Sequence, residues 1–225
     1  MDSATTIRDI VATDGFQNLS PQIKVALFLG GMAFLSAAMV TMTAFTRIVI
    51  VLSFVRRALS TQEIPPTQVL LGLSLFLTLF VMGPTMSAIE ENAIRPYLND
   101  VITADTALEN GAAELHSFML RQTRKTDIAL FAEMADVQSI QTPQDTPMRV
   151  LVPAYVISEL KTAFIMGFCL YVPFILIDLV VSVILMSLGM MMMPPMVIST
   201  PFKILLFVLV DGWQLIAKVL SMSFH

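Results

Sequence analysis

The chain has 225 residues, of which 56% are hydrophobic and only 13% charged, with a mean hydropathy of +0.79. So few charges cannot cover a water-soluble surface of this size, and the composition reads as an integral membrane protein. A net charge of −4 argues against a nucleic-acid partner, the single Cys169 excludes an intrachain disulfide or a cysteine metal cluster, and His116 and His225 lie too far apart to suggest a metal site.

The N-terminal MDSATTIRDIVATDGFQN has no basic region running into an apolar one. No cleavable signal peptide is read there, and the first apolar segment is expected to double as the targeting signal. A bilayer core of about 30 Å needs about 20 apolar residues as helix, and four stretches come close. Val25–Thr46 is free of charge, is interrupted by Arg47 and continues to Val55. Ile64–Ile89 is also uncharged. Thr162–Ile177 runs to Asp178, and Leu179–Phe202 is cut by a Met/Pro stretch, with apolar sequence resuming at ILLFVLV before Asp211.

These stretches read as two long helical hairpins, the first joined by RRALSTQEIPP and the second by the Met/Pro loop. Between them, residues 90–161 carry eleven acids and six bases. Within this region LHSFMLRQTRKTDIALFAEMAD suits one or two amphipathic helices, and QTPQDTP is a turn-rich linker. The expected organisation is a tail over 1–22, a first hairpin over 23–89, an acidic extramembrane insert over 90–147 and a second hairpin over 148–225. The fold class is all-α, membrane-type and oligomeric. Arg47, Arg56 and Arg57 around the first short loop place that loop on the cytoplasmic side and the insert outside.

Charges inside apolar runs carry a penalty of roughly 2.5–3.5 kcal/mol each at a helix centre. Arg47, Asp178, Lys203 and Asp211 must therefore meet water, one another or a partner subunit. One reading is a proton path through Asp178 and Asp211, as in a secondary transporter. The other is polar pairing that fixes register between helices or subunits. Glu159 and Lys161 in SELK join this second group, and at a spacing of two they face different neighbours on a helix. Pro173, Pro194, Pro195 and Pro201 remove backbone donors and are expected to break helices. Broken backbone at membrane depth survives only inside protein or along a cavity, so these segments are expected to pack within an assembly.

The stretch GMMMMPPMVISTPFK (189–203) places four methionines before a double proline. Methionine is unbranched and polarizable and moulds to irregular surfaces. Consecutive residues on a loop cannot form a helical stripe. The methionines are either gap-filling apolar packing or, if several copies surround an axis, a deformable ring that closes a pore. No G-x-x-x-x-G-K-[ST] loop and no nucleophile–base pair is evident, so no enzyme activity is expected.

Three blocks carry a resemblance: AFTRIVIVLSFVRRALSTQEIPPTQVLLGLSLFLTLFVMGP (44–84), PMRVLVPAYVISELKTAF (147–164) running into PFILIDLVVSVILMSLGMMM (173–192), and PPMVISTPFKILLFVLVDGWQL (194–215). Together they resemble the FliP family of export-gate subunits of the flagellar type III secretion apparatus, with virulence-system counterparts as the related alternative. The family's GMMM-x-PP pattern falls on Gly189, Met190, Met191, Met192, Pro194 and Pro195, with Met193 at the variable position.

The resemblance implies a non-enzymatic pore subunit of the bacterial inner membrane, within the flagellar basal body, that passes unfolded flagellar subunits. It implies several copies of the chain assembled with FliQ and FliR, and with FlhB nearby, and no cofactor. It also implies that Met190, Met191 and Met192 form a gasket shaped by Gly189, Pro194 and Pro195. In such an assembly Arg47, Glu159, Lys161, Asp178, Lys203 and Asp211 are candidates for intersubunit polar pairs.

Overall fold

The computed structural model describes residues 20–61, 64–137, 142–190 and 193–224. All regular structure among them is helical. The first apolar stretch is two helices, α1 (Pro21–Thr41) and α2 (Phe45–Ala58), parted at Met42–Ala44. The hydroxyls of Thr41 and Thr43 bond back to the carbonyls of Ala37 and Val40, at 3.0 and 3.3 Å. Such local bonds compete with helix continuation.

Helix α2 buries Arg47, Ile48, Val51, Leu52, Val55 and Ala58, one stripe at helical spacing. Helix α3 (Thr67–Val81) has the opposite polarity. Its buried face is Leu70, Ser74, Thr78 and Val81, whereas Leu71, Leu75, Phe76, Leu79 and Phe80 point outward. The hydroxyls of Ser74 and Thr78 are satisfied by the carbonyls four residues back, each at 2.7 Å. Small hydroxylated residues inside and large apolar ones outside is the pattern of a helix facing lipid or another subunit.

A 58° bend at Met82, just before Pro84, leads into α4 (Gly83–Ile89). This helix continues through one π-helical turn (Glu90–Ile94) into α5 (Arg95–Leu98). The rest of the acidic region folds as α6 (Ala104–Gln122) and α7 (Lys125–Met134), separated where Thr123 and Arg124 turn extended. Thr103 caps α6 by accepting from the Thr106 amide. Before the next helix, Thr142 and Asp145 close a reciprocal capping box around Pro143–Asp145. The Thr142 hydroxyl and amide hold the Asp145 carboxyl below the usual carboxylate range.

Helix α8 (Met148–Ser187) has 40 residues, a length of about 60 Å or roughly twice a bilayer core. The expected break at Pro173 does not occur: α8 runs through both Pro153 and Pro173. Its first half buries Val150, Leu151, Ala154, Tyr155, Ser158, Glu159, Ala163 and Gly167, and packs most extensively on α2. The second half exposes Leu176, Leu179, Val180, Val183, Ile184 and Met186.

The chain ends in α9 (Pro195–Leu209) and α10 (Gly212–Met222), bent by 63° relative to each other. Pro201 lies inside α9 without ending it, while Pro195 opens the helix, where a missing N–H is no loss. Among the described residues, α8 alone is long and apolar enough to cross a membrane, and the bent pairs α3 with α4–α5 and α9 with α10 qualify if each counts as one span.

The core lies where α2 and α8 cross, closed by α3, α6, α9 and α10 through Leu70, Met119, Phe207, Ile216 and Leu220. A side-chain carbon on Gly167 would stand 2.6 Å from the Phe54 ring, so glycine sets the closeness of α8 to α2.

Candidate functional site

The loop between α8 and α9 is built by opposite terminators. Gly189 has φ +73°, in the left-handed region that glycine enters without strain. Its amide bonds to Met186 O at 3.1 Å and the Met190 amide to Leu185 O at 3.0 Å. These two bonds form a Schellman motif, which satisfies carbonyls that the helix end leaves open. Pro194 and Pro195 then start α9. Of the methionines between, Met190 and Met193 are 41% and 42% exposed. Met191 and Met192 lie outside the described residues. Among the described residues the loop shows a glycine stop followed by the exposed Met190, and the exposed Met193 followed by a proline start.

Four of the six singled-out charges meet inside the chain, at two nodes. In the first, Arg47 of α2 grips Glu159 of α8 with one edge of its guanidinium: Nε donates to Oε2 at 2.7 Å and Nη2 to Oε1. Arg47 is 2% exposed and Glu159 fully buried. The remaining donors are also used. Nη1 donates to the backbone oxygen of Ser223 at 2.8 Å and to its hydroxyl at 3.0 Å, and Nη2 also reaches Gln122 Oε1 at 3.3 Å. The Phe224 ring lies 3.8 Å from the guanidinium carbon, a cation–π contact. Beside the node, Tyr155 donates its hydroxyl to Thr43 O at 2.9 Å, and Ser158 accepts from the Arg124 amide at 3.1 Å.

In the second node, Lys203 of α9 donates to Asp178 of α8 and to the Ser60 hydroxyl, each at 2.6 Å. Ser199 donates to the other Asp178 oxygen at 2.6 Å. Lys203 is 1% exposed and the Asp178 side chain 33%. Lys161 and Asp211 join neither node: both are exposed and have no ion-pair partner among the described residues. Asp211 sits in the bend before α10 with φ +50°. No buried side-chain nitrogen or oxygen among the described residues lacks a hydrogen-bond partner.

Sequence reading misses the polar residues that complete these nodes. Ser199 is visible as a hydroxyl in an apolar run. Gln122 sits in a polar segment and gives no signal, and Ser223 and Phe224 belong to no motif.

Comparison with known proteins bears on the same stretches. The profile described as the FliP family matches residues 28–220. The flagellar biosynthetic protein FliP of Pectobacterium carotovorum subsp. carotovorum is 53% identical over 212 residues, which is 94% of this chain and 82% of that protein. The Bacillus subtilis (strain 168) protein of the same name is 49% identical over 216 residues, 96% of this chain and 98% of that one. The Aquifex aeolicus (strain VF5) protein is 42% identical over 213 residues, 94% and 89% of the respective chains.

Proposed function

Because the chain belongs to the FliP family and is a component of the flagellar export gate, we propose that it is the core pore-forming subunit of that gate, passing unfolded flagellar subunits across the bacterial inner membrane. Several copies assemble with FliQ and FliR, with FlhB nearby, inside the basal body. Met190, Met191 and Met192 form the deformable seal, presented by Gly189 on one side and Pro194 and Pro195 on the other. The short loop carrying Arg56 and Arg57 faces the cytoplasm and the insert faces outward.

The observation that carries this reading is the inverted packing of single-chain helices. Polar groups are turned in and satisfied, while α3, α8 and α9 turn Phe76, Phe80, Phe164, Phe168, Phe202 and Leu209 outward. Surface of this kind requires lipid or other subunits to cover it. Bends of 58° and 63° within two of the apolar segments fit helices sheltered by protein.

A secondary transporter would route protons through Asp178 and Asp211. Asp178 is instead engaged by Lys203 and Ser199, and Asp211 stands exposed at the bend. Solubilising the tagged chain from cells that also make FliQ and FliR separates the two readings. The gate predicts a large complex containing all three, and recovery of the chain alone as a monomer or small oligomer would support a carrier.

A further inference from the structure

We propose that the end of α10 is a latch fastened to the extramembrane insert, with Gln122 as its clasp. The proposal stands whether or not the chain lines a pore. Gln122 is the last residue of α6 and uses both ends of its amide. Oε1 accepts from Arg47 Nη2 at 3.3 Å, and Nε2 donates to the backbone oxygen of Phe224 at 2.9 Å. A guanidinium has no acceptor and a carbonyl no donor, so this orientation alone satisfies both neighbours; a flipped amide would oppose both.

The latch has an aromatic half as well. The Phe224 ring is only 8% exposed. It lies between the Arg47 guanidinium, 3.8 Å away, and the Phe118 ring of α6, stacked at 6.4 Å and 19°. Ser223 takes the remaining edge of Arg47 through its backbone oxygen and hydroxyl. Two residues beyond α10 therefore touch α2 and α6 at once, and their bond to Gln122 spans 102 positions of sequence.

Placement makes this contact a device. Beside the apolar contacts of Phe207, Ile216 and Leu220 with the core, the α9–α10 segment has polar fastenings at two places, Lys203 to Asp178 and Ser60 within α9 and the latch at the end of α10. Between them lies the bend at Asp211, whose carboxylate has no ion-pair partner among the described residues. The Arg47–Glu159 pair uses Nε and Nη2 toward α8, whereas Ser223 uses Nη1. A shift of α6 that pulls Gln122 and Phe118 away removes one part of the hold on Phe224, leaving α10 to Ser223 on Arg47 and to Ile216 and Leu220 in the core, while the pair between α2 and α8 stays closed. The insert thus adds to how firmly the last helix is held.

Hydrogen–deuterium exchange on the full chain in detergent tests the latch. Gln122→Glu keeps an acceptor for Arg47, loses the donor and sets a carboxylate against the Phe224 carbonyl. Amides of residues 212–224 are expected to exchange roughly fivefold faster, from the loss of one net hydrogen bond, with residues 45–58 unchanged. Arg121→Ala, an exposed change on the same helix, is expected to leave both segments as in the parent. Parent-like exchange at 212–224 in Gln122→Glu would overturn the proposal, as would equal acceleration of 45–58, which would make Gln122 a general support of the core. If Gln122→Glu does not fold, Phe224→Ala tests the aromatic half of the latch by removing the ring from Arg47 and Phe118. It should speed exchange at 212–224 alone, and unchanged exchange there would overturn the latch.

Discussion

Arg47 and Glu159 are both buried, so removing either strands the other in a low-dielectric interior. Arg47→Met is expected to destabilise the chain by about 3–5 kcal/mol, while the double change Arg47→Met with Glu159→Met recovers most of that loss, because no unpaired charge remains. Thermal unfolding in detergent measures both, and a double variant no more stable than the worse single one contradicts the account. The second node is asymmetric. Asp178 is one-third exposed and retains Ser199, whereas Lys203 is 1% exposed and has only Ser60 besides. Asp178→Ala therefore leaves a buried ammonium, but Lys203→Met leaves a carboxylate that water can reach. Asp178→Ala should lower stability and recovery of the assembled complex more than Lys203→Met does. The reverse order, or normal recovery of FliQ and FliR with Asp178→Ala, would contradict this.

Between elements, the tightest constraint is Gly167 against Phe54. Gly167→Val should part α8 from α2 and destabilise the chain by about 1–3 kcal/mol, the usual range for overpacking. Phe54→Ala in the same chain should restore part of this, and additive losses in the two variants would show that the rings and the glycine do not share the space. The stripe of Ile48, Val51, Leu52 and Val55 is seen at helical spacing only in hindsight, but that this run is helical was legible. The uninterrupted α8 was not. A proline signals a break locally, but α8 continues through the exposed Pro173 while its neighbour Phe174 packs on Phe207, and tertiary context of this kind overrides propensity. The division of α1 from α2 was also hidden, since it depends on two threonine hydroxyls turning back to carbonyls rather than on glycine or proline. The inverted face of α3 is visible in hindsight in Ser74 and Thr78, four residues apart among leucines and phenylalanines.

For the whole molecule, composition declared the membrane class and the three motif blocks declared the family. The Gly189 stop and the Pro194–Pro195 start were readable because each residue type has a specific backbone role. The charge partners were not readable. Arg47 and Glu159 are 112 positions apart, and no local pattern announces such a pairing; the sequence left partners on other helices or in other subunits open, and the chain itself supplies one for each of four charges. That arrangement leaves large apolar outer faces on α3, α8 and α9 for lipid or other subunits to cover. The most direct test of the proposed gate is ion leakage across the inner membrane of cells making the chain with FliQ and FliR, comparing the parent with Met190, Met191 and Met192 all replaced by alanine. Assembly of the complex must be verified in both. A tight parent and a leaky, fully assembled variant are expected; an assembled variant as tight as the parent would contradict the methionine seal and place the closure elsewhere.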